Sequence, residues 1–192
     1  WDVDRVLYDF GLPMGPFAMS DLAGLDIGWD AAKTSSSTVR EVLCEMDRRG
    51  QKNGKGFYLY PAGDDKGGGK AINTAVYPFF GGSDRQPMNP TDMADRLALL
   101  MVNEAVYCLQ EGIIASPCDG DVGAILGLGF PPFKGGPFRY VDGLGAPAVV
   151  ARMRALAAQH GPRFEPAPLL VEMAEAGRRF YDASAVPAAH GV

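Results

Sequence analysis

The chain carries one pattern of glycine, proline and aromatic residues twice, and this repeat is the feature that most limits its fold. The first copy reads GLPMGPFAMSDLAGLD at residues 11–26, and the second reads GFPPFKGGPFRYVDGLGAP at residues 129–147. The second copy also carries three extra residues upstream of the shared GPF triplet. Such a repeat indicates a duplicated unit, with the two copies packed together as a pseudo-dimer. The residues that align at one constant spacing are Gly15, Pro16, Phe17, Asp21 and Gly24 with Gly136, Pro137, Phe138, Asp142 and Gly145.

Helix signals recur along the chain, whereas the alternation typical of strands is almost absent. Thr38 and Glu41 have the spacing of a capping box and predict a helix that runs on to Gly50. Asn89 as N-cap and Pro90 at the first helical position open the most clearly periodic helix of the sequence. The sequence therefore predicts an all-α fold in two related halves.

A glycine-rich stretch at residues 61–90 lacks a helical period and separates the two halves. We expect it to be a linker between an incomplete first copy at residues 1–60 and a second copy at residues 91–182. Residues 183–192 read as a frayed tail. The opening WDVDRVLYDF reads like the middle of a helix, so we expect the chain to be a fragment of a longer protein.

Composition restricts the possible partners. The formal net charge is −5 and no run of lysine and arginine occurs, which argues against nucleic acid or an anionic membrane as the main partner. No apolar run has the length of a membrane span. The three cysteines show no CxxC spacing and no nearby histidine cluster, so we expect neither a disulfide framework nor a metal site. A reducing, cytosolic compartment fits this usage.

No complete catalytic apparatus is expected in these residues. His160 and His190 have no carboxylate at a plausible spacing, and HExxH, GxSxG, GxGxxG and phosphate-loop patterns are missing. One loop of interest remains, RRGQKNGKGFY at residues 48–58. Its glycines allow close backbone approach, and its cations could bind phosphate groups of a nucleotide or coenzyme. The alternative is a solvated turn whose arginines are favoured by the C-terminal helix dipole.

Three stretches together closely resemble the C-terminal region of L-3-hydroxyacyl-CoA dehydrogenase. They are GLPMGPFAMSDLAGLD, RRGQKNGKGFYLYP, and the segment that begins MVNEAVYCLQEGIIASP and ends GLGFPPFKGGPFRYVDGLG. The form that they resemble most is the multifunctional fatty-acid β-oxidation enzyme, namely the bacterial α subunit and its peroxisomal relatives. The resemblance covers the chain from about residue 4 to about residue 180.

The resemblance implies two tandem helical domains like the C-terminal domain of 6-phosphogluconate dehydrogenase, the second imitating a partner subunit. It implies that a separate Rossmann domain binds NAD and carries a catalytic His–Glu pair, and that an enoyl-CoA hydratase domain could accompany it. The implied substrate is a 3-hydroxyacyl-CoA. These residues alone should therefore be inactive, and the implied location is the cytoplasm, or the peroxisome in a eukaryote.

Few individual site residues carry over from the family. Lys52 matches the lysine of the family's G-(R/K/Q)-K-(T/S/N)-G loop, which approaches NAD, and is the predicted cofactor-binding residue. Leu126 occupies the position of a substrate-contacting tyrosine of some multifunctional members, but it lacks the hydroxyl, which favours a core role. Asp95 takes the place of the substrate-orienting Asn of the family's VNR motif, so we expect no active site in the second copy. The resemblance assigns no catalytic or metal-binding residue to this chain.

Two alternatives remain open. The chain could be a non-catalytic helical module that docks a partner subunit such as a thiolase and contacts no ligand. A parent of the 6-phosphogluconate or hydroxyisobutyrate dehydrogenase type is disfavoured, because the GKGFY loop is followed by a second copy of the repeat.

Overall fold

The computed structural model describes residues 1–61, 69–82, 84 and 88–182. Their regular structure is helical apart from one antiparallel pair of two-residue strands, so the all-α prediction is confirmed. The predicted tail at residues 183–192 lies outside the described residues.

The chain divides into two compact units. The first unit comprises residues 1–8 and 14–88, and the second comprises residues 9–13 and 89–192. Each unit contains one of the two GPF triplets and has its own hydrophobic core.

The first unit is built from short elements around a small core of Leu25, Leu43, Cys44 and Val76. Its two strands pair with Tyr58 opposite Ile72. In chain order the elements are α1 (Asp2–Phe10), α2 (Pro16–Ala23), α3 (Val39–Glu45), a 3-10 turn (Gln51–Asn53), β1 (Tyr58–Leu59), β2 (Ala71–Ile72) and a 3-10 helix (Thr74–Phe80).

The capping box at the start of α3 is confirmed. The Glu41 amide donates to Oγ1 of Thr38 at 3.2 Å, and the Thr38 amide donates to the Glu41 carboxylate at 3.1 Å. The helix ends at Glu45 and not at Gly50 as predicted. Asp47 takes a φ of 54°, which is incompatible with a continuing right-handed helix.

Residues 71–80 lie within the predicted linker, and the structure corrects that prediction for them. Residues 71–80 form β2 and the 3-10 helix, and Val76 is 5% exposed within the core of the first unit. The physical reason is that AINTAVYPFF is largely apolar. Burial of its side chains lowers the free energy of the folded state, and a solvated linker would leave them in water. Asn73 fixes the segment further, because its Nδ2 donates to the Gly56 carbonyl at 2.8 Å.

The second unit has five α-helices among its described residues. The Thr91 amide donates to the Asn89 side chain at 2.8 Å, which confirms the predicted N-cap of the first of them. The core contains apolar residues of four of these helices, among them Val102, Phe138, Met153 and Leu170. The helices are α4 (Pro90–Gln110), α5 (Pro117–Leu128), α6 (Pro137–Leu144), α7 (Ala146–His160) and α8 (Pro168–Glu175).

A buried aspartate caps each GPF helix. In the first unit the Asp4 carboxylate accepts the amides of Phe17 and Ala18, both at 2.9 Å. In the second unit Asp121 accepts the amides of Phe138 and Arg139 at 2.7 and 3.3 Å. These amides lie in the first turn, where a helix leaves its donors unpaired, so each carboxylate satisfies two of them and complements the helix dipole.

The glycine before each Pro-Phe pair is explained by the same contact. A Cβ on Gly15 would lie 2.3 Å from Oδ1 of Asp4, and one on Gly136 would lie 2.4 Å from Oδ1 of Asp121. Any other residue would collide with the capping carboxylate. The repeated triplet is therefore a helix start whose glycine makes room for an aspartate.

A second aspartate, the one shared by both repeats, binds a later Phe-Tyr pair. Asp21 accepts the amides of Phe57 and Tyr58, both at 2.9 Å. Asp142 accepts the amides of Phe180 and Tyr181 at 2.8 and 3.1 Å. Each tyrosine hydroxyl then donates to the capping aspartate of its own unit, which closes a polar network of the same design in both copies.

Candidate functional site

The loop that carries Lys52 is held in shape by its own backbone and by Asn53. Gly50 and Lys55 exchange backbone hydrogen bonds at 2.8 and 3.1 Å, and Gly54 takes the left-handed conformation with a φ of 76°. The Asn53 side chain accepts from the Arg49 amide at 3.0 Å and donates to the Asp47 carbonyl at 2.7 Å. These hydrogen bonds give the loop a defined conformation, with Lys52 in its turn.

Asp21 attaches this loop to α2. Besides the two amides of the Phe-Tyr pair, it accepts the Tyr60 hydroxyl at 2.9 Å. A Cβ on Gly56 would lie 2.0 Å from Oδ1 of Asp21, so only glycine fits this approach. Burial raises the pKa of Asp21, while the donated hydrogen bonds partly oppose that rise.

Lys52 forms an ion pair with Asp26. Its ammonium contacts Oδ1 of Asp26, and Nη1 of Arg49 lies 3.7 Å from Oδ2 of the same carboxylate. The hydrogen bond from Lys52 is the main cause that lowers the pKa of Asp26 below its ordinary value. The Lys52 side chain is 49% exposed.

Aromatic and cationic groups surround this pair. The Arg49 guanidinium lies 4.9 Å from the ring centroid of Trp29. Within the described part of the chain, the buried atoms Nε1 of Trp29 and Nη1 of Arg48 have no hydrogen-bond partner. These two atoms are buried, so an external phosphate or carboxylate would contact the half-exposed Lys52 and not them.

The first unit also has an apolar pocket of about 250 Å³. Its wall contains a cluster of three rings, with centroids 4.8 Å apart for Phe17 and Phe57 and 5.7 Å apart for Phe17 and Phe80. Phe17 and Phe57 therefore line a cavity here, whereas their counterparts Phe138 and Phe180 are 0% and 6% exposed in the core of the second unit.

Leu126 lies on α5 with 81% of its surface exposed. The core role that the sequence analysis favoured for it is therefore wrong. A helical position is buried only when its face meets another element, and the sequence does not determine which face of α5 does so. The substrate contact implied by the resemblance stays a prediction.

Asp95 is half-buried and faces Arg152, whose Nη1 lies 3.5 Å from both carboxylate oxygens. Burial is the main cause that raises its pKa. Asn103, two turns further along α4, is not among the residues that the sequence singled out. Asn103 is 5% exposed, donates to the Glu165 carbonyl at 2.9 Å and accepts from the Ala167 amide at 2.8 Å. Its amide is thus used within the fold.

Neither a membrane span nor a metal cluster is found among the described residues. None of the helices in this part of the chain has the length and apolar character needed to cross a bilayer. The same residues contain no group of three or more metal-ligating side chains. His160 contacts the ring of Phe164, with centroids 6.0 Å apart, and His190 lies outside the described residues.

Two bacterial relatives are similar to almost the whole chain. The fatty acid oxidation complex subunit alpha of Shewanella loihica is 45% identical over 192 positions, which cover 94% of this chain and 26% of the relative. The subunit alpha of Shewanella amazonensis is 44% identical over 93% of this chain and 26% of its own length. The chain thus spans about a quarter of the length of these relatives.

Two solved structures share the fold. The dehydrogenase part of multifunctional enzyme 1 from C. elegans has a TM-score of 0.63 and 25% identity, covering 88% of this chain and 41% of that one. The 3-hydroxybutyryl-CoA dehydrogenase of Escherichia coli has a TM-score of 0.62 at 21% identity, covering 92% of this chain and 54% of that one, and so supports the fold alone.

The family model for the 3-hydroxyacyl-CoA dehydrogenase C-terminal domain matches residues 1–60 and 93–183. The two matched ranges hold the two GPF helices and the two aspartate networks. The chain belongs to the 3-hydroxyacyl-CoA dehydrogenase C-terminal domain family.

Proposed function

We propose that this chain is the C-terminal part of an NAD-dependent L-3-hydroxyacyl-CoA dehydrogenase of fatty-acid β-oxidation. The observation that carries the proposal is the family match over both copies, together with 45% identity to a fatty acid oxidation complex subunit alpha. The reaction would oxidise 3-hydroxyacyl-CoA to 3-ketoacyl-CoA. A cytoplasmic location, or a peroxisomal one in a eukaryote, belongs to the same proposal.

The residues of this chain would shape the binding cleft and leave the proton transfer to another domain. When bound, NAD accepts the hydride that leaves the hydroxyl-bearing carbon. The loop around Lys52 fits a phosphate-bearing cofactor, because it presents a half-exposed lysine on a turn that backbone hydrogen bonds hold in shape. Lys52 would bind an anionic group of the cofactor in competition with Asp26, and Asp21 would keep the loop in place.

A complementation assay tests the overall proposal. The 192-residue chain alone should not oxidise NADH with acetoacetyl-CoA, and a longer protein that adds a Rossmann domain should do so. A longer protein with correct folding but no dehydrogenase activity would overturn the proposal.

A substitution in that longer enzyme tests the role of Lys52. Lys52→Gln should raise the KM for NAD about threefold or more, since a half-exposed charge contact is worth up to about 1 kcal/mol. Lys55→Gln is the matched control, because Lys55 is an exposed lysine of the same loop. Equal KM values for the two variants would contradict the cofactor role. They would favour the helical docking module, for which a thiolase-type subunit is the candidate partner.

A further inference from the structure

Tyr60 connects the Lys52 loop to α2 through both its backbone and its side chain. Its amide donates to the Gly54 carbonyl at 3.0 Å, and its hydroxyl donates to Oδ2 of Asp21 at 2.9 Å. Gly54 directly follows the 3-10 turn Gln51–Asn53 that contains Lys52, whereas Asp21 lies within α2. One residue therefore joins the end of the loop to the helix against which the loop packs.

The loop and α2 approach each other closely at two further points. A Cβ on Gly50 would lie 2.3 Å from the Asp21 carbonyl oxygen, so the residue before the turn packs directly against the helix backbone. A Cβ on Gly24, just after α2, would lie 3.0 Å from both Cε and Nζ of Lys52. The Lys52 ammonium thus lies beside the end of α2, where it contacts Asp26. Because this contact is short, a small displacement of the loop along α2 would weaken the ion pair.

The Tyr60 hydroxyl is a dependable donor to Asp21. The residue is half-buried, and burial is the main cause that raises the pKa of its phenol, with the charge of Asp21 as the next cause. The phenol therefore stays protonated at neutral pH. A hydrogen bond from a hydroxyl to a carboxylate is stronger than one between neutral groups, so this contact can hold the loop against α2.

The tyrosine and the lysine occur together in only one copy of the repeat. Tyr60 lies two residues after Tyr58, and the second copy has Ala183 two residues after the tyrosine of its own Phe-Tyr pair. Lys52 lies six residues before Tyr58, and the second copy has Glu175 at the same spacing. In both copies the shared aspartate binds the amides of the Phe-Tyr pair. The extra hydroxyl therefore accompanies the lysine loop and is not needed for the common contact.

We propose that Tyr60 is a positioning residue for Lys52: its hydroxyl, bound to Asp21, sets where the Lys52 ammonium lies at the end of α2 and so where it meets the cofactor. This proposal rests on the cofactor role proposed above for Lys52. Tyr60 acts through the loop, and the group that contacts the cofactor is the ammonium of Lys52.

The first test needs no cofactor and follows the titration of Asp26 in the 192-residue chain. Tyr60→Phe keeps the ring, the bond from its amide to Gly54 and both amide donors of Asp21, so the chain should stay folded. The hydrogen bond from Lys52 is what chiefly lowers the pKa of Asp26, so a loosened loop should move that pKa up toward its ordinary value. Carbon-13 NMR of the side-chain carboxyl measures the shift. An Asp26 titration equal to that of the unchanged chain would overturn the proposal.

Tyr58→Phe is the matched control, because the Tyr58 hydroxyl donates to Asp4 and not to Asp21. It removes a hydroxyl from the same unit and should lower stability, yet it should leave the Asp26 titration unchanged. This comparison separates loss of position from loss of stability, and circular dichroism establishes that both variants are folded. An equal shift of Asp26 in the two variants would mean that any weakening of the unit disturbs the pair, which would refute a specific role of Tyr60.

The second test measures kinetics in the longer enzyme. Tyr60→Phe should raise the KM for NAD about twofold and leave kcat unchanged, since the loop contributes to binding and not to the chemical step. In the Lys52→Gln background Tyr60→Phe should raise KM no further, because its effect passes through Lys52. The same increase in both backgrounds would contradict the positioning role. An unchanged KM in Lys52→Gln itself would instead contradict the cofactor role of Lys52, and the Asp26 titration would still decide whether Tyr60 positions the loop.

Discussion

The hydroxyl of Tyr58 donates a 2.8 Å hydrogen bond to Oδ2 of Asp4, across 54 positions of the chain. Tyr181 and Asp121 repeat this contact at 2.6 Å in the second unit. In each unit the same aspartate caps the GPF helix, so the tyrosine connects the helix start to the distant Phe-Tyr segment. The tyrosine hydroxyl gives the buried carboxylate a hydrogen-bond donor in addition to the two helix amides.

Removal of the Tyr58 hydroxyl should destabilise the first unit. Tyr58→Phe leaves a buried carboxylate oxygen with one donor fewer, which costs about 1–3 kcal/mol. Chemical denaturation followed by circular dichroism measures the loss. Tyr8→Phe is the control, because Tyr8 is 66% exposed and should change stability little. Equal unfolding midpoints for the two variants would contradict the structural role of the contact.

Gly136→Ala should destabilise the second unit by about 2–4 kcal/mol, since it combines overpacking with backbone strain. The added Cβ would lie 2.4 Å from Oδ1 of Asp121, and the residue has a φ of 101°. Gly143→Ala, within the helix that follows Gly136, is the control, because its Cβ would meet no atom within 4 Å. That control should gain about 0.5–1 kcal/mol from helix propensity. Similar melting temperatures for both variants would refute the steric argument.

Val76→Ala tests whether residues 71–80 are a packed segment or a linker. If Val76 contributes to the core of the first unit, the substitution should cost about 1–3 kcal/mol through lost burial and a small cavity. Ile72→Ala provides a comparison, because Ile72 is 43% exposed and should cost less. A negligible effect at Val76, measured by denaturant titration, would restore the linker interpretation of residues 71–80.

The ion pair with Lys52 should be visible in the titration of Asp26. The pKa of Asp26 is lowered chiefly by the hydrogen bond from Lys52, so Lys52→Gln should move it up toward its ordinary value. A lowered pKa gives stability that is present above the unfolded-state pKa and is lost as the pH falls through the folded-state pKa. The variant should therefore lose less stability on acidification. Carbon-13 NMR of the side-chain carboxyl follows the shift, and an unchanged Asp26 titration would show that the pair does not form.

The pKa of Asp121 is shifted in the direction opposite to that of Asp26. Burial raises its pKa above the ordinary value, and the Tyr181 hydroxyl is the largest of the opposing causes. Tyr181→Phe should therefore raise the pKa of Asp121 further. The stability linked to a raised pKa is full below the unfolded-state pKa and is lost as the pH rises through the folded-state pKa, so Tyr181→Phe should lose more stability over that rise. A lower pKa in the variant, measured by the same NMR titration, would contradict this account.

Local signals in the sequence identified the elements that depend on nearby residues. The capping box of Thr38 and Glu41 and the N-cap at Asn89 were found in advance, because all partners lie within four positions. The end of α3 was misplaced, because Asp47 leaves the helical conformation before the glycine that normally marks a helix end. The exposure of Leu126 was missed because a face of a helix is buried only by an element that the local sequence does not specify.

The sequence by itself determined the duplication, the helical class and the family, since these follow from the repeated GPF pattern and from motifs read within short windows. The tertiary structure alone decided what the repeat does. Asp4 and Tyr58, like Asp121 and Tyr181, are distant in sequence, and nothing local signals that one will cap a helix and the other will complete the cap. The physical reason is that a buried carboxylate needs several donors at once, and only the folded chain brings them to one point.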